Sequence, residues 1–529
     1  MGAPDEKHAG IERSISPGAG SIQVGENMGS LHRRLNNRQI QLIAAGGSIG
    51  TALFISIGGG LAKGGPGSLF IAYTVYSCVL ALVNNSIAEM NTYMPVPGGF
   101  ICLAGYWVGD ALGFLAGWNF FFYEAFLIPF EITALSIVLS FWNEQMTDPG
   151  PTAGICAAAI ACYAALNILA VRFYGEAEFW LSGGKLVLIF LLFAFTFVTM
   201  VGGNPQGDAY GFWHCACFTV VGPEYISMVA TEAKCPSIYI KSAFKTIYYQ
   251  FCIFFVVGAL AVGIVVAYND PALQNIYFGD GDSGTAAASL YVIAMLNLGV
   301  GGLPHLINAL IFTSIFSAGN TYTYCATQSL YSLALEGRAP QFLRYCNKNG
   351  VPIYYFCIVM LFPLLSFLQV GSGSAQAITW FVNLVTGSGI ISFLIMSITF
   401  LNYYKACQVQ GVDRKVMPYY GYFQPYGAIF ALCVQSILVI FYGYSLFTPW
   451  SVLNFFSNYT MQLVAPCLYF GWKVVKKTRY VRPHEVDLVW QRPEIDAYEN
   501  SITAPPVGFW TEMGELVGIR RRRKTQVDA

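Results

Sequence analysis

Apolar residues in this chain gather into long runs separated by short polar turns, and the runs have the length that a bilayer demands. A hydrocarbon core about 30 Å thick asks a helix for about 20 consecutive apolar residues. Twelve runs meet that demand: Leu42–Ala62, Leu69–Met90, Ala111–Trp142, Gly154–Ala170, Phe179–Val201, Phe212–Thr231, Ile247–Ala267, Leu303–Leu335, Ile353–Val370, Ile378–Tyr403, Ala428–Leu446 and Trp450–Trp472. The pattern predicts an all-α integral membrane protein whose membrane domain covers residues 42–472. Residues 1–41 are polar, Gly/Ser-rich and mixed in charge, and read as a disordered tail with no cleavable signal peptide. Residues 473–529 are charged and contain proline, and read as a soluble extension. Ala286–Leu298 is apolar but too short to span, and suits a helix on the outer surface before the eighth run.

Basic residues give the orientation, because short cytoplasmic loops are enriched in lysine and arginine. Arg33, Arg34 and Arg38 precede the first run, Arg172 follows the fourth, and Lys234, Lys241 and Lys245 follow the sixth. Arg338, Arg344 and Lys348 follow the eighth, Lys405, Arg414 and Lys415 the tenth, and Lys473, Lys476, Lys477 and Arg479 the twelfth. All of these fall on one side. The opposite loops hold Glu144, Asp148, Asp208, Asp270, Asp280 and Asp282. Both termini are therefore expected in the cytosol.

Composition supports the same class. Apolar residues make up 55% of the 529 residues and charged residues 11%, against about 25% charged in an ordinary soluble chain. Formal net charge is zero and no basic face is sustained, so nucleic acid is not an expected partner. The 14 cysteines are scattered without zinc or redox spacing, and no metal or other cofactor is expected. No Ser/His/Asp constellation marks an enzyme. No repeated pore loop or charged ring marks a channel. The expected partners are a small-molecule substrate, protons and the lipid bilayer.

Two runs are interrupted at membrane depth. The first reads Ala44-Ala45-Gly46-Gly47-Ser48-Ile49-Gly50-Thr51-Ala52-Leu53-Phe54, and the sixth reads Phe218-Thr219-Val220-Val221-Gly222-Pro223-Glu224. Unpaired backbone groups in lipid cost several kcal/mol each, so such breaks persist only where they line a cavity. Runs one and six hold equivalent places in two five-helix halves, the pattern of an inverted-repeat carrier. At a break, one half-helix end offers N–H groups to an anion and the other offers carbonyls to a cation, which together suit a zwitterionic amino acid. Packing glycines that let helices approach closely are the alternative.

Ionisable residues inside the runs are costly and mark candidate sites. Lys185 lies in the fifth run, Glu124 and Glu131 in the third, Glu89 at the end of the second and Glu224 beside the break in the sixth. Lys185 is about two turns from its helix end, from where its stem could instead snorkel to water. A buried anion such as Glu124 on a transport path favours a cationic substrate, with Phe218 or Tyr123 adding cation–π attraction. Glu124 hydrogen-bonded to a neighbouring helix is the competing reading. Glu89 is a candidate for a gate salt bridge with a basic loop residue, against the default of an exposed charge at a helix end.

The ordered motifs Gly46-Gly47-Ser48-Ile49-Gly50-Thr51, Ala88-Glu89-Met90, Pro97-Gly98-Gly99, Gly117-Trp118-Asn119, Pro129-Phe130-Glu131, Glu178-Phe179-Trp180, Gly222-Pro223-Glu224, Ala230-Thr231-Glu232-Ala233 and Ser317-Ala318-Gly319-Asn320 resemble the fungal amino acid permeases of the amino acid/polyamine/organocation (APC) superfamily. The resemblance covers residues 31 to 475 and implies a LeuT-type fold: twelve transmembrane helices, with a 5+5 inverted repeat in which helices 1 and 6 are broken, and two further helices. It implies that Gly50, Thr51 and Ala52 meet the substrate carboxylate, while carbonyls of Ser48, Phe218 and Val221, beside Gly222, receive its ammonium group. Phe218 would be an aromatic gate with Thr219 lining the pocket. Lys185 would stand where sodium-coupled relatives hold a cation, so that proton exchange at Lys185, with Glu131 as a second candidate, couples transport to the proton gradient. Glu224, Pro223, Asn320 and Glu89 would serve structure and gating. Ala52 departs from the glycine usual in relatives, and Lys234-Cys235-Pro236 departs from their asparagine-proline pattern.

These readings imply a proton-coupled amino acid permease of the plasma membrane rather than the vacuole. A carrier of polyamines or quaternary amines, and a non-transporting nutrient sensor of the same fold, are the alternatives.

Overall fold

The computed structural model describes residues 37–48, 50–169, 174–205, 223–230, 233, 235–278, 289–340, 353–372, 374–444, 450–501 and 508–516. Regular structure among them is helical apart from isolated bridge residues at Ala233 and Trp450.

Helix α1, Asn37–Ser48, comes first, so residues 37–41 belong to a helix rather than to the tail. Past an interruption at Gly50 the chain continues as a π-type turn, Ala52–Ser56, and runs into α2, Ile57–Tyr93. Inside α2, Gly65 takes φ 65° and ψ 178°, and Pro66 follows. Glycine tolerates positive φ, and proline has no N–H to bond the preceding turn, so the first two apolar runs meet at a kink.

Helix α3, Phe100–Trp107, is a departure from the expected elements, because eight apolar residues are too few to span a bilayer. It is almost wholly buried. Gly98 and Gly99 lead into it with φ 76° and 48°. A Cβ on Gly99 would stand 2.9 Å from the Ser227 carbonyl carbon, so only glycine permits the approach. The Phe100 N–H then donates to Ser227 Oγ at 3.0 Å.

Helices α4, Asp110–Leu139, α5, Pro149–Leu169, and α6, Tyr174–Met200, occupy the third to fifth runs. The sixth run is described only through α7, Pro223–Val229. The seventh consists of α8, Pro236–Gln250, a π-type turn, Phe251–Val256, and α9, Val257–Val265. After α10, Pro271–Phe278, comes α11, Leu290–Asn297, on the segment expected at the outer surface. Its residues 290–295 are buried, so it is packed into the protein. Helix α12, Leu303–Leu335, matches the eighth run end to end. The ninth is broken around Pro363 into α13, Ile353–Val359, a 3-10 stretch, Phe362–Leu368, and α14, Gln369–Ser372. Helices α15, Ser374–Val409, α16, Tyr426–Phe441, and α17, Val452–Lys476, occupy the last three, and α18, Arg492–Ser501, and α19, Phe509–Leu516, lie beyond them.

Seven helical stretches among the described residues are long and apolar enough to cross a membrane: α2, α4, α5, α6, α8 with α9, α13 with α14, and α15. Helix α12 has the length but buries Asn308, Ser314, Ser317, Asn320, Thr321 and Thr323. Of the apolar stretch in α4, 83% is buried, against 22% in α5, which makes α4 an interior post and α5 a peripheral helix. Helix α4 packs along α12, α15, α17 and α5.

The stretch after α17 returns to the helix ends. The Val481 N–H donates to the Val108 carbonyl at 2.9 Å, and the Tyr93 hydroxyl donates to the Leu488 carbonyl at 2.9 Å. Trp490 stacks on Tyr106 with ring centroids 4.1 Å apart. Glu499 accepts from the Ser237 N–H at 3.0 Å and Glu512 from the Arg38 N–H at 2.8 Å. Each carboxylate thus satisfies an orphan donor in the first turn of α8 or α1, where the helix dipole favours negative charge. The described part of this C-terminal segment is tied to α1, α2, α3 and α8.

Candidate substrate and coupling site

Regular helix stops at Ser48 and resumes at Thr51, leaving Gly50 in a bend. The bend faces α4 and α12. A Cβ on Gly50 would stand 3.1 Å from the Tyr322 hydroxyl and 3.4 Å from Glu131 Oε1. The Thr51 hydroxyl donates to Glu131 Oε2. Thr51 and Glu131 are both buried, so this hydroxyl answers a carboxylate with little access to water. Glu131 sits two residues past Pro129 in α4. Of Ser48 and Ala52 the structure describes the backbone, at the end of α1 and the start of the π-type turn. Phe218, Thr219, Val221 and Gly222 lie outside the described residues. Pro223 opens α7, with Glu224 buried in its first turn.

A second polar group lies beside the first. Lys185 on α6 is 1% exposed, and its Nζ stands 3.9 Å from Glu178 Oε1. That leaves no route for snorkelling, the alternative weighed for this lysine. Glu178 also accepts from Ser182 Oγ at 3.2 Å and from Ser317 Oγ of α12 at 2.9 Å. Glu131 is within electrostatic reach of Lys185. The bend in the first run, α4, α6 and α12 therefore share one chain of buried polar side chains. Asn320, three residues beyond Ser317, accepts from Asn167 Nδ2 at 2.9 Å and joins α12 to α5.

Glu124 occupies a different environment on α4. It is fully buried, and among the described residues neither carboxylate oxygen has a hydrogen-bond partner. Among the described residues, the charged group with which it interacts is Glu224. Tyr225 and Tyr322 lie nearby and stack with centroids 6.1 Å apart. A carboxylate bonded to a neighbouring helix, the competing reading from sequence, is not what this geometry holds.

Away from these groups, Glu89 at the end of α2 is fully buried and accepts from Arg414 Nε and Nη2, each at 2.6 Å. The Gly421 N–H adds a third bond at 2.9 Å. Arg414 also faces the Tyr404 ring at 4.6 Å and the Tyr420 ring at 5.1 Å.

The family described as Amino acid permease matches residues 39–484. The chain belongs to the amino acid permease family. Among curated relatives, the general amino acid permease AGP2 of Saccharomyces cerevisiae is 38% identical over 88% of this chain and 83% of its own length. A proline-specific permease of Emericella nidulans is 33% identical, covering 90% and 91%, and the lysine/arginine permease CAN1 of Candida albicans 30%, covering 85% and 81%. This permease is thus a multi-pass membrane protein, related to carriers whose names span several amino acid classes.

Several residues of the permease site went unmarked as site residues in the sequence. Glu178 had a signal: it precedes Lys185 by seven residues, two helical turns, which puts both on one face. Ser317, Tyr225 and Tyr322 had none, because each reaches its partner through tertiary packing.

One prediction follows from the bend. Gly50→Ala pushes a methyl against the Tyr322 hydroxyl and should lower the initial uptake rate per surface copy by roughly tenfold, since displacements of under 1 Å at a binding site carry such losses. Adding Tyr322→Phe removes the obstructing oxygen and should restore most of the rate. Equal rates for the single and double variants would show that the contact is unimportant.

Proposed function

We propose that this permease takes amino acids up across the plasma membrane together with protons, by alternating access, with both termini in the cytosol. In this reading the twelve apolar runs are twelve spans of a LeuT-type 5+5 inverted repeat plus two further helices, and the breaks in spans one and six form the head-group site. Backbone N–H groups at Thr51 and Ala52 meet the substrate carboxylate, while carbonyls of Ser48, Phe218 and Val221 receive the ammonium group. Phe218 closes over the substrate and Thr219 lines the pocket. The observation that carries the proposal is the adjacency of the interrupted helix at Gly50, bonded through Thr51 to Glu131, and the buried Lys185–Glu178 pair. A proton gained or lost in that group changes the charge beside the bend, so coupling and binding share one set of side chains. The reading requires neither a cofactor nor an enzymatic step.

Uptake of labelled amino acids in a transport-deficient host tests it, with acidic, neutral and basic amino acids, carnitine and spermidine as competitors. The expected result is saturable uptake, faster at low external pH and lost with an uncoupler. Uptake that is absent across the panel would favour a sensor of the same fold. The unpartnered Glu124 favours cationic cargo within the amino acid class.

A further inference from the structure

Every other buried glutamate for which partners are resolved has a donor: Thr51 serves Glu131, Lys185 and Ser317 serve Glu178, and Arg414 serves Glu89. Arg338 serves Glu336. Among the described residues Glu124 has no such donor, although it is 0% exposed. A buried carboxylate without a counter-charge is costly, and its electrostatic neighbour Glu224 carries the same sign.

Its position supplies a reason. Glu124 and Glu131 are seven residues apart on α4, so they lie on one face about 10 Å apart along the axis. Glu131 marks the level of the bend at Gly50. Tyrosines lead from that level to Glu124: the Tyr322 hydroxyl adjoins Gly50, Tyr322 stacks on Tyr225, and Tyr225 interacts with Tyr123, the residue before Glu124. Aromatic faces attract cations, and a wall of them ending in an anion is a path for a positively charged side chain.

We propose that Glu124 is the counter-charge for a second, distal cation on the substrate, so that the preferred cargo is an α-amino acid ending in an ammonium or guanidinium group. This rests on the reading of the bend as the head-group site. A lysine or arginine stem spans roughly 5–6 Å, and the Glu124 side chain covers much of the remainder. A substrate bound this way cancels the unpaired charge. A neutral side chain of equal length leaves it unpaired, and an acidic one adds repulsion.

Arginine and citrulline test the point, since they match in length and shape and differ in the terminal charge. In cells expressing the full chain, arginine should compete for uptake at least about tenfold better than citrulline, and lysine likewise better than norleucine. Glu124→Gln should bring the arginine-to-citrulline ratio close to one, and Glu124→Asp should keep part of it. Ratios taken within one cell line are independent of expression level. If Glu124→Gln fails to reach the membrane, the wild-type ratio and the Asp variant still decide. Equal competition by arginine and citrulline in the wild type, or an unchanged ratio in Glu124→Gln, overturns the inference. So does spermidine outcompeting arginine, because a substrate without a carboxylate leaves the head-group site unused. Uptake of neutral amino acids without preference for charge sinks this inference alone, whereas no uptake of any amino acid sinks the underlying function.

Discussion

Lys185→Ala is expected to yield a permease that exchanges amino acids across the membrane but no longer accumulates them. Lys185 is buried with its ammonium 3.9 Å from Glu178, and Glu131 is close enough to interact. A cation in that position balances two carboxylates, one of which is bonded to the bend through Thr51. Without it, the charge beside the bend no longer responds to the proton gradient, and substrate should move only down its own gradient. The substitution also carries a structural cost, since stripping one partner from a buried ion pair removes about 3–5 kcal/mol. Glu178→Gln in the same chain separates the two effects. The double variant should recover part of the stability, because of the two carboxylates beside the missing ammonium only Glu131, which keeps its bond from Thr51, is left, yet accumulation should stay lost. Accumulation ratios measured at two external pH values, alongside counterflow, make the distinction. Undiminished pH-driven accumulation in Lys185→Ala would remove this residue from coupling.

Arg414→Ala is expected to have the largest effect on stability. Arg414 makes two bonds of 2.6 Å to Glu89, and Glu89 is completely buried. Loss of the guanidinium leaves a buried carboxylate with only the Gly421 N–H, so about 3–5 kcal/mol of stability should go with it. Glu89→Gln should cost less, because the amide oxygen can still accept from Arg414, which keeps the faces of Tyr404 and Tyr420. The pair ties the end of α2 to the segment before α16, on elements distant in sequence, and it fits the role of a latch. Thermal unfolding of the two single variants and the double variant gives the coupling energy. Near-additive losses would mean that the bidentate contact is not a functional unit.

Much of this architecture is legible in the sequence because a bilayer imposes one length on every crossing helix. Leu303–Leu335 could be read off as an apolar run and stands as α12 with the same limits. The bend at Gly50 was legible too, because glycine clustered at membrane depth has few other uses. Helix α3 was not, since eight apolar residues beside a glycine pair look like a loop until Gly99 is seen against Ser227. The docking of Trp490 on Tyr106 was equally hidden, as a charged and proline-containing stretch gives no sign of what it packs on. At the candidate site, residue type announced Lys185, Glu124 and Glu131, the seven-residue spacing put Glu178 on the face of Lys185, and packing revealed the bond from Thr51 to Glu131. That Glu124 has no such bond among the described residues depends on many neighbours at once, which no local pattern encodes.

The central claim, that the bend and the Lys185–Glu178 group together make a proton-driven amino acid carrier, is most directly tested with purified protein in sealed liposomes. Labelled arginine outside and an imposed gradient, acidic outside, should give internal arginine well above the external concentration, collapsing when a protonophore is added. Internal arginine that merely equals the external concentration, whatever the gradient, would contradict the account.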